Sequence, residues 1–169
     1  MKRKSLQTAI FSFCLLASLL LSATEPNPGV LGVEDVKRVV PTSYFFRGQS
    51  ASVQLRNSTG FRGSEGKLVL TGLVDTSGYS SDVAEKYQGF LITEVKLSIE
   101  GSNLPPGEYG FGFSKDGKFT VMDVGENDLL SASSHLDENL HRAVPLQIVA
   151  DQASYRLYAG KRWVSLKAQ

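Results

Sequence analysis

Few residues of this chain have the type and spacing that chemistry requires. In Leu73-Val74-Asp75-Thr76-Ser77-Gly78 an aspartate follows an apolar pair and precedes Thr and Gly. That outline is close to a catalytic turn in which two carboxylates share one proton. Ser77 interrupts it, and no second Asp-Thr-Gly supplies the partner carboxylate. A plain turn explains the same residues, because Asp and Ser side chains bond nearby backbone amides. His135 and His141, the only histidines, flank Asp137 and Glu138. Six residues apart on a helix, their side chains diverge by roughly 240°, so a shared zinc ion would need a bent loop. Gly60, Gly63 and Gly66 before Lys67 have the look of a phosphate loop, but Phe61 stands where its first glycine belongs and Leu68 where Ser or Thr belongs. Asn57-Ser58-Thr59 is a glycosylation sequon, relevant only in a eukaryotic secretory pathway. A hydrolase would have to work through Asp75 or His135. No catalytic set, metal site or cofactor is assigned.

The stronger pattern is apolar. Tyr109, Phe111 and Phe113 alternate with Gly110 and Gly112, and a Ser114-Lys115-Asp116-Gly117-Lys118 turn leads into Phe119 to Val124. This predicts a β-hairpin with a three-residue loop. With Ser114 opposite Lys118, Phe113 faces Phe119, Phe111 faces Val121, and Tyr109 faces Asp123 within reach of a hydroxyl–carboxylate contact. Glycines on the other face mark a strand packed closely by its neighbours, or a floor over which a ligand approaches the backbone. Arg47, Gln49, Gln54 and Arg56 form a polar cluster that is a solvated sheet face or orients a polar ligand group. The candidate ligand contacts are therefore Tyr109, Gly110, Phe111, Gly112, Phe113, Asp123, Arg47, Gln49 and Arg56.

Composition narrows the setting. Lys2, Arg3 and Lys4 precede an apolar run of 13 residues, Ala9 to Leu21, with small residues before a cut after Ala23. Residues 1–23 read as a secretory signal, too short in its apolar part for the ~20 residues of a bilayer span. Cys14 is the only cysteine and Phe13 precedes it, where lipoprotein processing wants a small residue. The exported chain then owes nothing to disulfides or thiol chemistry, and no membrane span is expected after signal removal. Loss of three of the 18 basic residues leaves 15 against 17 acidic ones. A mildly acidic domain lacks the basic stripe that nucleic acid requires.

The remaining pattern predicts a linker over 24–32 and one β-rich domain over 33–169. A helix spans Val33 to Val40, with Val33, Val36 and Val40 on one face. Strands follow at Tyr44–Phe46 and Ala51–Arg56, then a loop from Asn57 to Gly66. Lys67–Val74 reads as a central strand with a bulge at Gly72, and a short helix follows from Ser80–Asp82 to Tyr87. Leu91 to Glu100 alternates as one half-buried strand, and Leu104-Pro105-Pro106-Gly107 turns into the hairpin. Gly125 to Arg142 reads as an irregular stretch with a helical turn from Ser133 or Ser134 to His141. Three strands close the chain, from Leu146, Tyr155 and Arg162. Seven or eight short strands with one or two short helices imply a mostly antiparallel all-β fold, either a β-sandwich or a small β-barrel.

Phe45-Phe46-Arg47-Gly48-Gln49, Val74 through Ser81, and Leu104-Pro105-Pro106-Gly107-Glu108-Tyr109-Gly110-Phe111-Gly112-Phe113 resemble stretches of small exported proteins of soil bacteria. The resemblance implies a periplasmic or secreted setting and brings no catalytic residues with it. The expected function is a non-enzymatic exported β domain that binds a protein or envelope component. The alternatives are a small-molecule-binding barrel and a hydrolase, and the oligomeric state is open.

Overall fold

A computed structural model describes residues 27–169, so the signal segment and residues 24–26 lie outside it. The chain runs through β1 (Gly29–Val30), α1 (Val33–Val39), β2 (Ser43–Phe46), β3 (Gln49–Arg62), β4 (Leu68–Val74), α2 (Ser81–Lys86) and β5 (Gly89–Thr93). It continues through β6 (Leu97–Ile99), β7 (Ser102–Leu104), β8 (Gly107–Phe113), β9 (Lys118–Met122) and β10 (Asp128–Ser133). The last elements are β11 (His135–Leu136), β12 (Val144–Asp151), β13 (Ser154–Gly160) and β14 (Arg162–Ala168). Eight strands form one sheet in the order β1-β3-β4-β5-β8-β9-β10, with β2 also on β3; six form the other, β12-β13-β14-β6-β7, with β11 on β14. All pairings are antiparallel, and the two sheets make a sandwich and not a closed barrel.

Between the sheets lies the main core. Phe61, Leu91, Phe111, Phe119 and Val121 of the first sheet meet Leu97, Ile99, Leu157, Val164 and Leu166 of the second, and all ten are fully buried. Phe61 stacks on Tyr155 at 3.8 Å between ring centroids, joining the sheets directly. A second core covers the outer face of the first sheet, where Val36, Val40, Tyr44, Phe46, Val83, Tyr87, Phe90 and Met122 come together. The β2–β3 hairpin reaches across that face. Tyr44 stacks on Phe90 of β5 at 5.3 Å, Phe46 stacks on Tyr87 at 3.9 Å, and the Arg47 amide donates to the Val124 carbonyl just past β9. Arg47 and Gly48, both at positive φ, make the two-residue tip.

Several expectations change. Leu91–Glu100 is two strands in two different sheets, because the chain leaves the first at Glu94–Lys96 and enters the second at Leu97. Buried Thr93 makes the corner possible: its hydroxyl donates to the Val95 carbonyl at 2.7 Å and accepts from the Val95 amide at 3.3 Å. Those backbone groups would otherwise lack a ladder partner. Asn57–Arg62 continues β3 in place of a loop, its alternation hidden by small polar residues that pair with β4. The register irregularity is on β3, between Val53 and Ser58, and not at Gly72. Gly72 instead leaves room for the Ser58 hydroxyl and the Phe90 ring.

Gly29 and Val30 of the expected linker pair with Arg62 and Phe61. Val33 is exposed, so only Val36 and Val40 anchor α1. Asp128–Ser133 is a strand where an irregular stretch was expected, and His135–Leu136 is one where a helical turn was expected, since each finds an open edge, on β9 and β14. The fourteen strands of the described residues outnumber the seven or eight expected because corners and two-residue bridges divide the chain finely.

Tyr44 and Tyr87 bury hydroxyls that have no hydrogen-bond partner among the described residues. Burial drives both phenols well above their ordinary value near 10. A raised folded-state pKa leaves stability intact below pH ~10; above it the unfolded chain ionises and the folded one resists, so stability falls as pH rises. Of the six tyrosines, these two are expected to ionise only on unfolding, visible as a cooperative step in phenolate absorbance. Tyr87→Phe removes an unsatisfied hydroxyl and is expected to raise stability by about 1 kcal/mol in a denaturant titration.

Candidate functional site

At one end of the sandwich the two sheets part and leave an open cleft of about 550 Å³. The first sheet contributes Leu73 of β4 and Phe113 of β8; the second contributes Ala159 at the end of β13, Pro145 and Leu136. Phe113 belongs to the main core and partly buried Leu73 and Ala159 pack against it, so the base of the cleft is where that core meets solvent. The cleft follows from local irregularities. Where β3 slips out of register, the Gln54 amide donates to the Val74 carbonyl at 3.1 Å and stands in for a missing ladder bond. Opposite, Gln88 donates to the Phe113 carbonyl at 2.9 Å and accepts from the Phe113 amide at 3.0 Å, as a neighbouring strand would. Both wall amides are thus committed to the backbone.

Two hairpin tips frame the mouth. Lys115 sits in the β8–β9 loop, and Lys161 and Arg162 follow the β13–β14 turn at Gly160, whose φ is +66°. The tips are tied together: Ser134 donates its amide and hydroxyl to the Gly117 carbonyl at 2.8 and 2.7 Å, and Arg162 Nη1 donates to Ser134 Oγ at 3.3 Å. Three cations and no carboxylate line this cleft.

Of the residues singled out from sequence, Phe113 and Gln54 line this cleft and the others lie elsewhere. Phe113 faces Phe119 and Phe111 faces Val121, as the register predicts. Tyr109, Phe111 and Phe113 point into the main core. The Tyr109 hydroxyl donates to the Pro105 carbonyl at 2.9 Å and not to Asp123, because pairing with β9 stops at Met122. Asp123 instead closes its own loop: Oδ1 accepts from the amides of Gly125 and Asn127 and Oδ2 from the Asn127 side chain. These bonds, Asn127 foremost, hold its carboxyl below the usual range. The Gly110–Gly112 face is filled. A Cβ at Gly110 would come within 2.6 Å of the Phe46 ring, and one at Gly112 would collide with the Lys86 carbonyl.

The polar nominees divide. Arg47 pairs with Glu126 at 2.5 Å and brings the hairpin tip to the Asp123 loop. The carbonyls of Gln49 and Phe46 accept from the Tyr79 hydroxyl at 3.2 and 3.1 Å. Arg56 lies in a separate groove of about 400 Å³ beside Val33, Lys37 and Leu55. Asp75 is an exposed turn aspartate whose carboxylate accepts from the Ser77 amide at 3.0 Å, which lowers its pKa. His135 stacks on Trp163 at 4.4 Å and meets Glu100 at 3.1 Å, with no hydroxyl bonded to its ring among the described residues. Arg156 also lies over Trp163, at 4.2 Å, and pairs with Asp151 at 2.7 Å. The charges of that ledge are matched internally. His141 is apart from it, and no group of three or more His, Cys, Asp or Glu gathers among the described residues.

Sequence reasoning missed Lys115, Lys161 and Arg162 because they sit on two loops that no sequence period connects. The available signal was three cations clustered at the Asp-Gly and Ala-Gly turns. No family model, curated protein or solved structure matches the chain.

The filled glycine face predicts that Gly112→Ala destabilises the protein by about 3 kcal/mol or more in chemical unfolding, since a backbone carbonyl blocks the methyl. Gly63→Ala, with nothing nearer than 3.8 Å, is expected to stay within about 0.5 kcal/mol of the parent.

Proposed function

We propose that the chain is an exported, non-enzymatic binding protein of the bacterial envelope, and that its ligand enters the cleft at the end of the sandwich. The carrying observation is that both sheets build this concavity together and expose core residues in its base. Its volume falls in the range of small-molecule sites, roughly 300–1,000 Å³. The barrel alternative placed the ligand in the interior, a space that packed phenyl rings occupy. Binding is favoured over hydrolysis by what the two nominated residues do. Asp75 spends its carboxylate on the Ser77 amide of its own turn, and His135 serves a cross-strand stack. Export is supported by Lys2-Arg3-Lys4, the apolar run and Ala23, and by the lack of cysteine beyond residue 14. No helix of the described residues is long and apolar enough to cross a membrane.

Native mass spectrometry of protein recovered from the periplasm tests the reading. The expected species begins at Thr24 and carries a co-purified mass, which Ala159→Trp abolishes by filling the cleft. Protein that keeps Met1 and stays in the cytoplasm, or an adduct that persists in Ala159→Trp, contradicts it.

A further inference from the structure

Resting on that reading of the cleft, we infer that its ligand is a small amphiphile whose apolar body lies on Leu73, Phe113 and Ala159 and whose anionic head, a carboxylate or phosphate, meets Arg162, Lys161 and Lys115. Charge complementarity selects the anion. Arg162 is half-buried at the mouth, and no carboxylate of the described residues comes within 4.0 Å of it or of Lys161. Arg156, the other half-buried guanidinium of the same sheet, has Asp151 at 2.7 Å. A partly desolvated cation without an anion keeps its desolvation cost, and a bound anion offsets it.

The guanidinium is also positioned. It lies along the backbone at Gly117, where a Cβ would come within 2.8 Å of Nη1, and Ser134 Oγ takes one of its five N–H groups. The others remain for a forked contact to a carboxylate or phosphate. Lys115 has Glu85 at 3.8 Å, but both side chains are largely exposed (98 % and 75 %), so that pair is screened and weak. Glu85 and Asp116 line the groove behind the loop and not this cleft. A small molecule suits the site better than a peptide. An extended peptide needs free main-chain partners, and Gln54 and Gln88 are already bonded to Val74 and Phe113.

Calorimetric titration of the exported protein with dodecanoate, dodecyl phosphate and dodecanol tests this. Both anions are expected to bind, with dodecanol about tenfold weaker, one charge-assisted contact's worth. Arg162→Gln is expected to bring the anions down to the level of dodecanol. Because that change also loosens the Gly117–Ser134 tie, Lys161→Gln at an exposed position provides a second reading, a weaker loss of anion binding at unchanged melting temperature. Equal binding of dodecanol and the anions, or no loss in either variant, overturns the anionic head while leaving the cleft in place. Failure of all three ligands to bind, or binding unaffected by Ala159→Trp, overturns the cleft and the inference together.

Discussion

Strand β8 sets the dimensions of the molecule. Its residues alternate Tyr109, Gly110, Phe111, Gly112, Phe113, and all five are buried. On one side the rings fill the space between the sheets; on the other the absence of side chains lets Phe46, Tyr87 and the Lys86 backbone approach the strand. The two faces therefore have different thicknesses by sequence alone. Wide packing inward holds the second sheet off, and close packing outward lets a hairpin and α2 lie flat on the first. A side chain at either glycine would lift that outer layer. The entropy that glycine costs a strand is offset by the second core it admits.

The chain around β8 meets a second constraint, since it must serve both sheets. It crosses to the second at Glu94–Lys96 and returns through Pro105 and Pro106, with the short β6–β7 hairpin between. Each crossing interrupts the ladder, and a side chain takes up a carbonyl at each: the Thr93 hydroxyl donates to Val95 at the first and the Tyr109 hydroxyl to Pro105 at the second. At the open end the same role falls to Gln54 and Gln88. The cleft is thus the place where ladder pairing runs out and side-chain amides complete it, and its rigidity comes from those bonds.

Much of this was legible in the residues. The Phe and Gly alternation gave the hairpin and its register, the apolar run at Lys67–Val74 gave a central strand, and charge placement gave α1. The period-two rule failed at Leu91–Glu100 because it reports which face is apolar and is blind to a change of sheet; Leu91 is buried in the first ladder and Leu97 and Ile99 in the second. It failed again at Asn57–Arg62, where small polar residues pair with β4, and at Asp128–Ser133, which takes the open edge of β9. The site was mostly illegible. Aromatic residues that look like a ligand surface in sequence are core, and Arg47 and Asp123 stabilise a corner. The cleft cations sit on separate loops about 45 residues apart in the chain, joined through the Gly117 carbonyl, Ser134 and Arg162.

If β8 fixes the layer spacing, the glycine side of the strand and the rings above it are one packing unit. A double-mutant cycle on Gly110→Ala and Phe46→Leu, read by denaturant unfolding, measures that most directly. The account predicts that each change alone destabilises and that the pair is less costly than the two together, with a coupling of at least about 1 kcal/mol, because the smaller side chain makes room for the added methyl. Strict additivity would mean that Gly110 and Phe46 do not limit each other, and the outer layer would need another explanation.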